Sequence, residues 1–208
     1  MLRFIYILAW VCIVGLLLYY FWPHSVGTVT NFPSSGTDIV ALGDSLVAGY
    51  GSSDSQGFVS ILSKSVDQRI YNLGVDGDTT TDTLARLNQL DAYKPKVVIL
   101  LVGGNDYLQR KDMGQAFKNL GTIIQNIQSR GAVVVLVGVR LDQLLGNFDK
   151  QYKALVDQYH VAYVPDALDG VIGNPKLMSD SVHPNDAGYK IVADRIEPVL
   201  KKMLGRDF

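Results

Sequence analysis

Five short apolar runs recur between residues 38 and 166: DIVALG (38–43), RIYNLG (69–74), KPKVVILLVGG (94–104), GAVVVLVG (131–138) and VAYVPD (161–166). Each gives way to glycine or to polar residues. The third and fourth are apolar without alternation, as expected of strands buried on both faces. Helical spacing fills the intervals. Phe58, Ile61, Leu62 and Val66 fall at such spacing within 56–66, and Leu84, Leu87 and Leu90 within 80–90. Phe117, Leu120, Ile123, Ile124 and Ile127 do so within 113–129, and helices are also expected over 148–159 and 185–204. Strands alternating with helices predict βαβ units, hence an α/β fold with a parallel sheet and helices on both faces. In such sheets ligands bind beyond the carboxyl ends of the strands. The residues that follow each run are therefore the first place to look for chemistry.

The N-terminal residues behave differently. Residues 4–22, FIYILAWVCIVGLLLYYFW, carry no charge. As a helix they span about 28 Å, close to the hydrocarbon thickness of a bilayer. The run is longer than the apolar part of a signal peptide, and it exits through Tyr20, Phe21, Trp22 and Pro23 rather than small residues. The expectation is one transmembrane anchor over 1–22, with secretion after signal cleavage as the alternative. Arg3 precedes the run and no further Lys or Arg occurs before Lys64. The positive-inside rule then puts the N-terminus in the cytoplasm and the domain outside the cytoplasmic membrane. Residues 23–37, PHSVGTVTNFPSSGT, read as a linker, and 38–208 as one domain. Cys12 is the only cysteine, which excludes an intramolecular disulfide and a cysteine-based zinc site in the domain. Formal net charge is −1 and no basic run occurs, so nucleic acid is not an expected partner.

Four polar segments stand where the architecture gathers a site. They are Gly43-Asp44-Ser45-Leu46, extended by Ala48-Gly49-Tyr50; Asn72 to Thr79, ending in Gly77-Asp78-Thr79; Gly103-Gly104-Asn105-Asp106; and Asp180-Ser181-Val182-His183-Pro184. Taken singly, each reads as a turn or a helix cap. In this order the four blocks resemble the GDSL, or SGNH, hydrolase family, most closely its bacterial lysophospholipase, acyl thioesterase and arylesterase branch. The resemblance covers about residues 38–204. It implies a three-layer α/β/α sandwich around a parallel sheet of about five strands, in agreement with the pattern.

The resemblance also implies roles. Ser45 is the nucleophile, His183 the base and Asp180 the carboxylate that orients the base. The oxyanion donors are the Ser45 N–H, the Gly77 N–H and the Asn105 side-chain amide, with Gly74 as a rival for the glycine. Pro184 suits the first turn of the last helix. His160, between a helix and a strand, reads as structural. No metal-ligand constellation and no phosphate-binding glycine loop occurs, so neither metal nor cofactor is expected. Leu46, Tyr107, Leu108 and Leu144 are candidate substrate-binding residues, with Val47, Tyr50, Leu141 and Leu145 as further groove candidates. The expected activity is a serine esterase acting on acyl esters, thioesters or lysophospholipids. A carbohydrate deacetylase or O-acetyltransferase on envelope glycans is the enzymatic alternative, and a non-catalytic envelope binding module the non-enzymatic one.

Overall fold

The structure, a computed structural model, describes residues 29–55, 57–139 and 148–206. Residues 4–22, on which the anchor expectation rests, lie outside the described residues, as do Leu141, Leu144 and Leu145. Among the described residues no helix is long and apolar enough to cross a membrane.

Five strands form one sheet: β1 (Asp38–Gly43), β2 (Ile70–Gly74), β3 (Pro95–Leu101), β4 (Val133–Val137) and β5 (Ala162–Val164). Their order is β2-β1-β3-β4-β5, and every pairing is parallel. All five expected runs form strands; β1 fills its run, and the other four are shortened at their ends. Side chains alternate between the two faces of each strand. On one face Ile39, Ala41, Val97, Ile99, Val133 and Val135 pack with Phe58, Leu62, Tyr189 and Ile196. On the other, Val40, Leu42, Val98, Leu100, Val134 and Leu136 pack with Leu120, Ile123, Ile124 and Ile127. The three-layer sandwich follows from this double burial.

Seven α-helices accompany the strands among the described residues: α1 (Ser45–Ala48), α2 (Gly57–Ser65), α3 (Thr80–Ala85), α4 (Gly104–Leu108), α5 (Met113–Ser129), α6 (Asp149–Tyr159) and α7 (Asp186–Met203). The long amphipathic ones match the spacing of their apolar residues. Asp112 caps α5 by accepting from the N–H groups of Gly114 and Gln115, and Asn185 caps α7 by accepting from Ala187 and Gly188. Three details differ from expectation. The helix expected over 80–90 breaks at Arg86 into α3 and a 3-10 helix over Leu87–Ala92. α1 and α4, at four and five residues, are too short to leave a periodic signal and read as loops in the sequence. Pro184 does not enter the last helix. It precedes the capping Asn185 and forms an isolated bridge with Met178.

The expected linker also proves partly fixed. Residues 30–37 are strapped across the end of the sheet where the strands begin. Thr30 N–H donates to His160 O at 2.8 Å and its hydroxyl to Tyr159 O at 3.1 Å. The Asn31 amide donates to Gln128 O at 2.8 Å and Ala132 O at 3.0 Å, and the Ser34 hydroxyl to Gly131 O at 2.7 Å. The carbonyls of Gln128 and Tyr159 lie at the ends of α5 and α6, where a helix offers its last carbonyls no donors from the helical ladder. Thr, Asn and Ser in a stretch that reads as solvated linker serve instead as caps for the domain.

At the opposite end of the sheet, Gly74 closes β2 against α1. A Cβ built on Gly74 would stand 2.1 Å from Ala48 N and 2.6 Å from Val47 C, both backbone atoms that cannot swing aside. Gly74→Ala is expected to destabilise the domain by about 1–3 kcal/mol through overpacking. Urea denaturation checks this, and a loss under about 0.5 kcal/mol contradicts the close packing of α1 on β2.

Candidate active site

β1 delivers the chain to the carboxyl edge of the sheet at Gly43. Asp44 then adopts an extended conformation and caps α1, its Oδ1 accepting from Leu46 N–H at 3.0 Å. Ser45 is thereby the first residue of a helical turn, where a backbone N–H has no intrahelical acceptor. The turn ends at once because Gly49 takes a left-handed conformation, φ 86°, and donates its N–H to Ser45 O at 3.0 Å.

The loop after β5 brings in the histidine. His183 Nε2 lies 3.0 Å from Ser45 Oγ, and His183 Nδ1 lies 2.8 Å from Asp180 Oδ2. Asp180 has a second task. Its Oδ1 accepts from the N–H groups of Val182 at 2.7 Å and His183 at 2.8 Å, so one carboxylate fixes both ring and loop. Partial burial works against its ionisation, but these bonds and the neighbouring imidazole outweigh it and bring the carboxyl down to about 2. An ionised carboxylate only accepts hydrogen bonds. Nδ1 must therefore carry the ring proton of the neutral imidazole, which leaves the Nε2 lone pair facing the Ser45 hydroxyl.

The loop is clamped from outside. Ser179 donates its N–H to His183 O at 2.8 Å. A Cβ on Gly51 would lie 2.2 Å from Ser179 Oγ, so the 49–51 turn presses on the histidine loop. The Tyr50 ring stands 4.5 Å from the His183 ring, tilted by 48°, while its carbonyl accepts from the Tyr189 hydroxyl at 2.8 Å.

The remaining blocks converge on the same edge. Gly77 has φ 82° and open space where a Cβ would be. No hydrogen bond of the described residues uses its N–H. The rival Gly74 has its N–H engaged by Asn72 Oδ1 at 2.9 Å and is packed against α1. Asn105, at the start of α4, donates one amide hydrogen to Asp78 O at 3.0 Å. The next residue, Asp106, is buried and accepts from Thr80 N–H at 2.8 Å and Thr80 Oγ1 at 2.7 Å, which locks α4 to α3.

The candidate groove residues separate into different environments. Val47 is fully buried in the core and Leu46 nearly so, since α1 turns both inward; the core, not a groove, claims Val47. Leu108 and Tyr50 are half-exposed. Tyr107 meets Phe148 edge-on and helps line a small pocket, about 20 Å³, with Gly104, Met113, Phe117, Leu120 and Tyr152. That pocket adjoins Asn105 through Gly104 and Tyr107. A larger open groove, about 580 Å³, lies along edge strand β2 and α2 beside Lys64, Arg69, Tyr71 and Tyr93, and includes no residue of the Ser-His-Asp cluster. His160 caps α6 in a left-handed conformation and takes no part in the site. Sequence reasoning does not single out the supporting residues Thr80, Arg86 and Asn119, whose amide donates to Thr80 Oγ1 at 3.1 Å, and it names Asp78 only as a member of the Gly-Asp-Thr block. Their only trace is polar residues beside the Gly-Asp-Thr and Gly-Asn-Asp blocks.

Comparison with known proteins adds four findings. The model of the GDSL-like lipase/acylhydrolase family matches residues 41–191. The chain is 35% identical to Esterase TesA of Pseudomonas aeruginosa over 178 residues, covering 80% of this chain and 89% of that protein. It is 29% identical to Thioesterase 1/protease 1/lysophospholipase L1 of Escherichia coli K12 over 195 residues, covering 89% and 94%. A crystal structure of TesA superimposes with a TM-score of 0.76 at 33% identity, covering 80% of this chain and 99% of that one.

Asp44 allows a test of the site's electrostatics by pH. Burial pushes its carboxyl up from 3.8 to about 7; the bond from Leu46 opposes this, and Asp78 and Asp106 add to it. Between about pH 4 and 7 the folded chain then holds a proton that the unfolded chain has released, so this group's contribution to stability falls as pH rises. Asp44→Asn keeps an oxygen for Leu46 and has no charge to bury. Its stability relative to the parent is expected to rise across that window and then level off. Urea denaturation at about pH 4, 5.5 and 7 measures it, and a difference that stays constant across the window contradicts the assignment.

Proposed function

The chain belongs to the GDSL-like lipase/acylhydrolase family and is a serine ester hydrolase, and from that premise we propose that the reaction runs through Ser45, His183 and Asp180. The carrying observation is the continuous hydrogen-bonded line from Ser45 Oγ to His183 Nε2, and from His183 Nδ1 to an ionised Asp180. Ser45 Oγ attacks the acyl carbonyl as its proton passes to Nε2. The negative charge that forms on the carbonyl oxygen is held by the N–H groups of Ser45 and Gly77 and by the Asn105 amide. Collapse of the intermediate expels the alcohol, which takes the proton from the imidazolium and leaves an acyl-Ser45 ester. Water then repeats the sequence and releases the acid.

The pocket beside Asn105, about 20 Å³, is too small to hold a long acyl chain and lacks the paired hydrogen-bond partners a sugar needs. The relatives' names, esterase, thioesterase/lysophospholipase and arylesterase, favour acyl esters over acetylated glycans as the substrate class. A panel of short and long p-nitrophenyl acyl esters, an acyl thioester and an acetylated glycan tests that preference.

We further propose that an anchor over residues 4–22 bears on which esters reach the site. The strap at residues 30–37 lies where the strands begin, and Ser45 and His183 lie where they end. Across six residues of β1 that separation is about 20 Å. If residues 4–22 hold the chain at the outer face of the cytoplasmic membrane, the site faces away from the bilayer to which it is tethered. This favours esters that arrive from the aqueous side over lipids of the anchoring leaflet.

Two outcomes check this reading. Ser45→Ala and His183→Ala are expected to lower kcat by about 10⁴–10⁶, with the double variant little worse than either, because the members act as a unit. Full activity in a folded Ser45→Ala protein rules out this site. Membrane fractionation of the intact chain is expected to find it in the membrane pellet. A shortened chain beginning after residue 22 in the soluble fraction shows a cleaved signal instead.

A further inference from the structure

Arg86 stands at the break between α3 and the 3-10 helix, its side chain 14% exposed. Its guanidinium donates in four directions. Nε reaches Asp78 Oδ2 at 2.6 Å, Nη2 reaches Gly43 O at 2.8 Å, and Nη1 reaches Leu73 O at 3.0 Å and Gln89 Oε1 at 3.1 Å. Gly43 and Leu73 lie at the carboxyl ends of β1 and β2, and Gly43 is two residues before Ser45. Asp78 directly follows Gly77, and its own carbonyl accepts from Asn105 Nδ2 at 3.0 Å. One planar group thus holds the strand end that carries the first oxyanion donor, the loop that carries the second and the acceptor that aims the third.

We propose that Arg86 is a positioning residue for the oxyanion hole. The inference rests on the reading of Ser45, Gly77 and Asn105 as its donors. Hydrogen-bond donors stabilise the developing oxyanion only when their spacing is set beforehand, and errors of a fraction of an ångström weaken them. Here two of the three donors are backbone N–H groups on separate loops, and the third is a side chain with rotational freedom. Backbone pairing alone ties the two loops at one point, Val75 N–H to Gly43 O at 3.0 Å. The Arg86 fork adds a second tie at Gly43 and extends it to Asp78. Lysine cannot replace it, because a single ammonium cannot meet carbonyls on two strands and a carboxylate in one plane. The ion pair with Asp78, whose side chain is 9% exposed, keeps the fork in place.

The test compares Arg86→Lys, Asn105→Ala and the double variant with the parent on a short p-nitrophenyl ester, with folding checked by thermal unfolding. Arg86→Lys is expected to lower kcat about tenfold while KM changes less than about threefold, because donor alignment matters only when the oxyanion forms. Asn105→Ala is expected to lose about 10²–10³ in kcat. The double variant should fall below Asn105→Ala by less than Arg86→Lys falls below the parent, since one of the three donors that Arg86 positions is already gone. If Arg86→Lys does not fold, Asp78→Asn, which keeps the carbonyl that holds Asn105 and weakens the Arg86 grip, is judged by the same criteria. A folded variant with kcat within about twofold of the parent, a loss confined to KM, or losses that multiply in the double variant overturns the role of Arg86. Full activity in Asn105→Ala overturns the oxyanion reading itself, so the two failures are distinguishable.

Discussion

Five parallel strands end at one edge of the sheet, and the whole site depends on that edge. Because every pairing is parallel, the chain turns at the same side after β1, β2, β3 and β5. Ser45, Gly77, Asn105 and His183 are distant in sequence, yet each belongs to a segment that leaves a strand at this edge. Burial of both sheet faces makes the edge rigid. Ile99 and Leu100, adjacent in β3, face opposite cores and are both fully buried. A rigid edge allows short loops to hold Ser45, Gly77, Asn105 and His183 in fixed relation without a large supporting structure.

Aspartate does most of the local work, and its environment decides which work. Asp180, partly exposed and bonded by two N–H groups and a ring, stays ionised and orients the His183 ring. Asp44 is buried, capping α1, and carries a raised pKa. Asp78 is ion-paired with Arg86, and Asp106 is tied to Thr80 through both its oxygens. Four carboxylates near one edge thus serve as orienting group, cap, clamp and helix lock. The buried ones are costly unless paired or neutralised, which explains why hydroxyls, N–H groups and a guanidinium surround them.

The strand runs are legible because double burial demands unbroken apolar sequence, and α2, α5, α6 and α7 because one-sided burial imposes helical spacing. The Ser-His-Asp cluster is legible through the four blocks and their order. What stays hidden has a common cause: interactions made by side chains far apart in sequence leave no local pattern. Arg86 draws no notice in the sequence, and three of its acceptors, Gly43, Leu73 and Asp78, lie on other segments. Asn31 and Ser34 read as linker until the carbonyls they cap are known. Short helices such as α1 escape periodicity altogether, and with them the inward turn of Val47.

The central claim is that Ser45 is made nucleophilic by a His183 whose tautomer Asp180 dictates. Covalent labelling measures that directly. The intact protein is treated with a fluorophosphonate probe, and the modified residue is mapped by peptide mass spectrometry in the parent and in His183→Ala. The account predicts a single adduct on Ser45 in the parent and loss of rapid labelling in the variant. An active parent that stays unlabelled, an adduct on another residue, or equally fast labelling of Ser45 without His183 would contradict it.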